Sequence, residues 1–210
     1  MATAASVVHD AVMIDSIGPV VAAGSMSGGE QPSFGLRGGF ALRPWQPDDA
    51  PVLVVSSRDP EIRQWNRSVD LSPAAAGEKI ARWRERWQAE EAAIWAICRP
   101  GGGGPVGLVG LADVDLRGGG AEFLYWLLPA GRGHGVVVDA TVRISRWAVD
   151  ELGLHRLRIT HSVANPASCR VAVKAGFALE GVMRSALLHA DGWHDEHLHA
   201  RVAGDPWPSG

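Results

Sequence analysis

One hexapeptide, Arg132-Gly133-His134-Gly135-Val136-Val137, constrains this chain more than any other stretch. The run before it, Phe123 to Leu128, is aromatic and apolar. The run after it, Val136 to Leu152, is amphipathic: Ala140, Ile144, Trp147, Ala148 and Leu152 fall on one face, and Asp139, Arg143, Arg146 and Asp150 on the other. This order reads as strand, tight turn, helix. Glycines at 131, 133 and 135 let the backbone turn through positive φ and approach a ligand closely. The N–H groups at the start of the following helix have no partner within the helix and favour an anion, most simply a phosphate.

Two familiar phosphate loops fail on the residues. A P-loop needs Lys-Ser/Thr after its last glycine, whereas Val136 and Val137 follow Gly135. A dinucleotide fingerprint needs a third glycine where Val136 or Val138 stands, and it follows a βαβ strand rather than one from a hairpin.

The remaining chain reads as alternating elements. A short strand at Phe40 to Arg43 stops at Pro44, and Pro47 to Ser57 is helical with acidic residues in its first turn. Asp59 to Trp65 is a short helical turn, and Ser72-Pro73 caps a helix reaching about Glu90. Strands are expected at Ala93 to Arg99, Val106 to Asp115 and Ala121 to Leu128, the last two forming a hairpin. After the central helix, stopped by Gly153, come a strand at His155 to Ser162 and a short helix from Asn165 to Ala175. An antiparallel pair, Phe177 to Leu188 and Trp193 to Val202, closes the chain. The order is β-α-α-β-β-β-α-β-α-β-β, an α+β fold with a mixed, mostly antiparallel sheet. Residues 1–38, rich in Ala, Gly and Ser, are expected to form a flexible tail in which Val7-Val8 and Ala11 to Ile14 could pack, and 204–210 a second tail. Residues 39–203 form the single domain.

Charge and cysteine content narrow the function. A formal net charge of −3 argues against nucleic acid as a partner and suits a cationic amine. Two cysteines, Cys98 and Cys169, are too few for a disulfide framework and form no Cys-x-x-Cys pair. No basic leader and no apolar run of ~18 residues is present, so a cytoplasmic protein free of the membrane is expected.

Arg132-x-x-Gly135-x-Val137 resembles the Arg/Gln-x-x-Gly-x-Gly/Ala signature of the GNAT N-acetyltransferase superfamily, with Pro129 three residues before the arginine. Asn165-x-x-Ser168 followed by Lys174-Ala175-Gly176-Phe177 resembles the matching segment of the Rim-type branch, which acetylates protein N-termini and other amines. Glu122-x-x-Tyr125-Trp126 resembles that branch's Glu-x-Gly-Tyr-Trp strand. The likeness runs from about Phe40 to Arg201.

It implies the GNAT fold, acetyl-CoA or another acyl-CoA as cofactor, and direct transfer to a primary amine on a protein N-terminus or small molecule. A homodimer is compatible with it. By carry-over, the backbone of Gly133, His134, Gly135, Val136, Val137 and Val138 holds the pyrophosphate. Backbone at Tyr125, Trp126 and Leu127 holds the pantetheine arm as an added strand, and Arg132 contacts phosphate or caps the turn. Glu122 is the candidate general base through water; the same carboxylate could instead bind the cationic substrate or be a solvated strand residue. Ser168 is the candidate donor to the thiolate or a pantetheine ligand, and Asn165 fixes the crossover and bonds the cofactor arm. Both also suit a helix start. Arg63, Trp65 and Asn66 are the expected acceptor contacts. Val137 and Leu124 stand where smaller residues are usual, which keeps open an acyl-CoA-binding protein without transferase activity.

Other residues suggest less. His197 and His199 point the same way on a strand and could chelate, but no third ligand has obvious spacing, so no metal is expected. His161 shares a face with Leu157 and Ile159 and reads as a core residue. Cys169 has no base nearby in sequence and is not expected to carry an acyl group. Of Trp65, Trp83 and Trp87, at least two are expected in the core.

Overall fold

A computed structural model describes residues 18–208. Eight strands form one sheet in the order β1-β2-β3-β4-β5-β6-β8-β7. They are β1 (Phe34–Gly35), β2 (Ala41–Pro44), β3 (Ala93–Cys98), β4 (Pro105–Asp115), β5 (Gly120–Leu127), β6 (Arg156–Ser162), β7 (Ala178–His189) and β8 (Gly192–Val202). Five α-helices accompany them: α1 (Ala50–Ser56), α2 (Pro60–Asn66), α3 (Pro73–Gln88), α4 (Val136–Arg146) and α5 (Pro166–Lys174). This is the mixed α+β architecture expected, with the two-residue β1 added at one edge.

Burial follows the sequence periods. Every residue of β3 is buried, because both faces of the sheet are covered there. Ala93, Trp95 and Ile97 join one core cluster with α4, while Ile94, Ala96 and Cys98 join another with Trp45, Leu53 and Ile80. Helix α4 buries Val136, Val137, Ala140, Thr141, Ile144 and Ser145, a stripe at helical spacing. A π-turn, Trp147–Glu151, then keeps Trp147 and Ala148 in the core before Gly153 ends the helix at φ 90°. Ile144 is fully buried, so Ile144→Ala removes about 2–5 kcal/mol of packing.

Both expected tails differ from expectation where they are described. In the first, Val21 and Met26 are core residues. The Glu90 carboxylate accepts the N–H groups of Gly24, Met26 and Ser27, and the indoles of Trp87 and Trp95 donate to the carbonyls of Gly29 and Pro32. Residues 1–17, with the segments around Val7 and Ala11, lie outside the described residues. At the other end, the Trp207 ring lies 3.7 Å from the Arg201 guanidinium and 4.6 Å from that of Arg146, which holds the segment down.

The feature that positions the site is a fork in the sheet. Among the described residues, strands β5 and β6 are the only parallel neighbours and pair over three positions, Gly120↔Arg156, Ala121↔Leu157 and Glu122↔Arg158. Beyond Glu122 they diverge. The rest of β5 stays paired with β4 on one side, from Phe123↔Leu111 to Leu127↔Gly107, and turns its other edge to an open cleft.

Candidate active site

The glycine turn sits at the mouth of the fork. Gly133 has φ 83° and Gly135, the helix N-cap, has φ 68°. A Cβ on either would meet nothing within 4 Å, so glycine is required by backbone conformation and the space above is open. The first N–H that α4 satisfies is that of Asp139, bonded to the Gly135 carbonyl at 3.2 Å. The N–H groups of residues 133–138 precede it. Val137 is buried in the core cluster and also lines the cleft.

Arg132 lines the cleft below the turn, and its guanidinium is engaged by protein groups. Its guanidinium donates to the Leu127 carbonyl at 3.0 and 3.2 Å and pairs with Asp59 at 3.1 Å and Glu61 at 2.7 Å. Asp59 is also the N-cap of α2, accepting from the N–H of Ile62. Arg132 therefore ties α2 across the cleft to the segment that leads into the glycine turn.

Two adjoining cavities of about 240 and 290 Å³ fill the fork and share Trp65, Asn66, Tyr125, Asn165 and Ser168. The first runs along Trp126 and Leu127 toward Val137. The second contains Glu122, Thr160, Ser162, Leu187 and Glu196. Trp65 and Asn66 thus reach the cleft. Arg63 does not: it turns away on α2, pairs with Asp70 and borders a separate depression with Arg58 and Gln64. Trp83 and Trp87 belong to the two core clusters.

Asn165 caps α5, its Oδ1 accepting from the Ser168 N–H at 3.1 Å. The Ser168 hydroxyl lies 2.7 Å from the Tyr125 hydroxyl across the fork. Burial pushes the Tyr125 phenol up to about 12, partly offset by its bond to Ser168, so it stays protonated through the physiological range.

Glu122 sits at the vertex of the fork. Its carboxylate accepts from Arg158 Nε at 2.7 Å and from the Thr160 hydroxyl at 2.5 Å. Glu196, on β8, was not singled out from the sequence. Its side chain is buried, lines the same cavity, and makes no hydrogen bond or ion pair among the described residues. Burial, and then the Glu122 charge, raise its pKa above the usual glutamate range. The period-2 alternation of Trp193 to Val202 places Glu196 on the face opposite His197 and His199, and that was the available signal. Next to it, the Ser162 hydroxyl bonds His194 Nδ1 at 2.7 Å, and His194 Nε2 meets Asp191 at 3.0 Å.

Among the described residues the sheet forks between one parallel pair of strands, with a glycine turn at the mouth and a helix start beside it. The sequence matches the family described as acetyltransferase (GNAT) domain over residues 40–178, and the chain belongs to that family. It is 30% identical over 97 residues to the ribosomal-protein-serine acetyltransferase of Escherichia coli (strain K12), covering 46% of this chain and 54% of that protein. It is 29% identical over 101 residues to the putative ribosomal N-acetyltransferase YdaF of Bacillus subtilis (strain 168), covering 48% and 55%. The chain therefore spans about half the length of these two curated relatives. Among solved structures, RimL, a ribosomal L7/L12 alpha-N-protein acetyltransferase in complex with coenzyme A, superposes with a TM-score of 0.73 at 19% identity, covering 83% of this chain and all of that one. Mycobacterium smegmatis RimJ, in complex with CoA-disulfide, gives 0.71 at 20% identity, covering 82% and 86%.

Proposed function

We propose that this chain is an acyl-CoA-dependent N-acyltransferase that acetylates a primary amine, most simply a protein N-terminus. The observation that carries the reading is the fork: free helix-start amides at one end, an unpaired β5 edge along one side, and two carboxylates at its vertex. The residues fit the cofactor. The space above Gly133 and Gly135 is open, and the amides of residues 133–138 precede the first helical bond of α4, an arrangement suited to a pyrophosphate. The β5 edge from Tyr125 to Leu127 can pair with an amide-bearing arm as a strand would. Bound there, acetyl-CoA would supply an acyl group activated as a thioester.

The chain's own residues divide the remaining work. An amine arrives as an ammonium and must lose a proton before it can attack. Glu122, fully engaged by Arg158 and Thr160, would have to release a bond to take that proton. Glu196 has a free carboxylate and a raised affinity for protons, so it is the better general base, with Glu122 attracting the cationic head. Ser168, backed by the protonated Tyr125, donates toward the departing sulfur. Trp65 and Asn66 border the acceptor's approach.

The protein-N-terminus reading also draws support from relatives named as ribosomal-protein acetyltransferases. Among the described residues no helix is long and apolar enough to cross a membrane, and both cysteines are unpaired, which fits a reducing cytoplasm. The test follows thiol release from acetyl-CoA with peptides bearing free or blocked N-termini, beside small amines, while cofactor binding is measured in parallel. Release with free N-terminal peptides alone is the expected result. Release with small amines alone moves the acceptor class. Binding without release favours the acyl-CoA-binding alternative, and no binding overturns both.

A further inference from the structure

On the side of α5 that carries Cys169, four side chains from three elements converge. His161 stands on β6, His197 and His199 on β8, and Cys169 on α5. One potential ligand atom from each lies within 4.8 Å of all the others. His161 and His199 are 6% and 1% exposed, yet the Nε2 of each has no hydrogen-bond partner, and neither has the buried Nδ1 of His197. Three imidazole nitrogens without partners in one small volume are a costly arrangement for a core.

The other ring nitrogens are arranged as metal ligands require. His161 Nδ1 lies 2.8 Å from the Ser162 carbonyl, and His199 Nδ1 lies 3.4 Å from that of Phe177. Donation to those carbonyls fixes the proton on Nδ1 and turns the Nε2 lone pair inward.

We propose that His161, Cys169, His197 and His199 form a structural zinc site. Three nitrogens and one sulfur suit a borderline-soft divalent ion in tetrahedral geometry. Bonds of ~2.0–2.3 Å place tetrahedral ligand atoms about 3.4 Å apart, so small side-chain rotations close the site. Four protein ligands leave no open position, so the ion staples rather than catalyses. The Cys169 thiol releases its proton to solvent as the metal–sulfur bond forms. Cys169 and His197 are half-buried and border a surface depression beside Val163 and Pro166, which gives an ion access. The staple joins β6, β8 and α5, the elements that carry Thr160, Glu196 and Ser168.

The test uses the full chain without an affinity tag, chelator-treated and then titrated with Zn²⁺ against a chromophoric chelator. The comparison variants are Cys169→Ala, at a half-buried helix position that tolerates alanine, and His197→Ala, with circular dichroism confirming their fold. One zinc per chain is expected, with affinity at least about tenfold weaker in each variant. At one zinc concentration the melting temperature of the wild type should rise more than that of either variant. Cobalt in its place should give a thiolate charge-transfer band that Cys169→Ala abolishes. Failure of the wild type to bind stoichiometric zinc overturns the proposal, as does equal affinity in wild type and both variants.

Discussion

The two ends of the cleft are built in different ways. The cofactor end is local: six consecutive amides from Gly133 to Val138, held by two positive-φ glycines and the start of α4. The acceptor end is assembled from distant parts: Glu122 from β5, Thr160 from β6, Trp65 from α2 and Glu196 from β8. A local site depends on backbone conformation, whereas an assembled site depends on packing and on fields between groups far apart in sequence. Changes at the first end should therefore act on cofactor binding, and changes at the second on turnover and its pH dependence.

Glu196→Gln gives the sharpest break. Removing a general base should lower turnover by about 10²-fold or more while leaving coenzyme A affinity within about twofold. Calorimetric titration and single-turnover kinetics separate the two, and equal loss in both would erase the division. Next comes Gly135→Ala. Forcing a Cβ into φ 68° costs roughly 1–2 kcal/mol, so coenzyme A binding should weaken about tenfold with less effect on acceptor KM. If the backbone flips instead, binding is lost altogether, and the local character of this end is only more evident.

Glu122→Gln tests the field between the carboxylates. The Glu122 charge contributes to holding the Glu196 pKa up, so its removal should lower that pKa and move the acid limb of kcat/KM to lower pH. An unmoved limb would mean that the pair is not coupled through the cleft. The smallest effect is thermodynamic. A carboxyl whose folded pKa lies above its unfolded value costs stability once pH exceeds the folded pKa, and the cost vanishes as pH falls below the unfolded one. Glu196→Gln should therefore melt higher than wild type at pH 8, and the gain should shrink toward pH 4.

The same division explains what was legible in the sequence. The amphipathic stripe of α4 and the short apolar runs of β3 to β5, bounded by glycine turns, are local signals, and the structure reproduces those elements within a residue or two. Asn165 and Ser72 were readable as caps because capping acts over three residues. Residues 18–36 carry no period, and their order comes from Glu90, Trp87 and Trp95, some sixty residues away. Glu196 was hidden for a related reason: only the fork brings β8 opposite β5. The ion pairs of Arg132 with Asp59 and Glu61 were equally hidden, because they join parts of the chain some seventy residues apart. His197 and His199 were visible as a pair, and their proposed partners became visible only when β6 and α5 were folded against them.

Six of the nine tryptophans fall into two triads that belong to separate core clusters. Trp87, Trp95 and Trp147 meet at 5.3–6.5 Å within the core, remote from the cleft residues. Trp45, Trp83 and Trp126 meet at 5.5–6.1 Å, and Trp126 borders the cavity beside β5. The chain thus carries two built-in optical reporters. Near-ultraviolet ellipticity from the first triad follows global unfolding, while emission from the second changes as the cleft fills. Recording both on one sample distinguishes occupancy from folding without an added label.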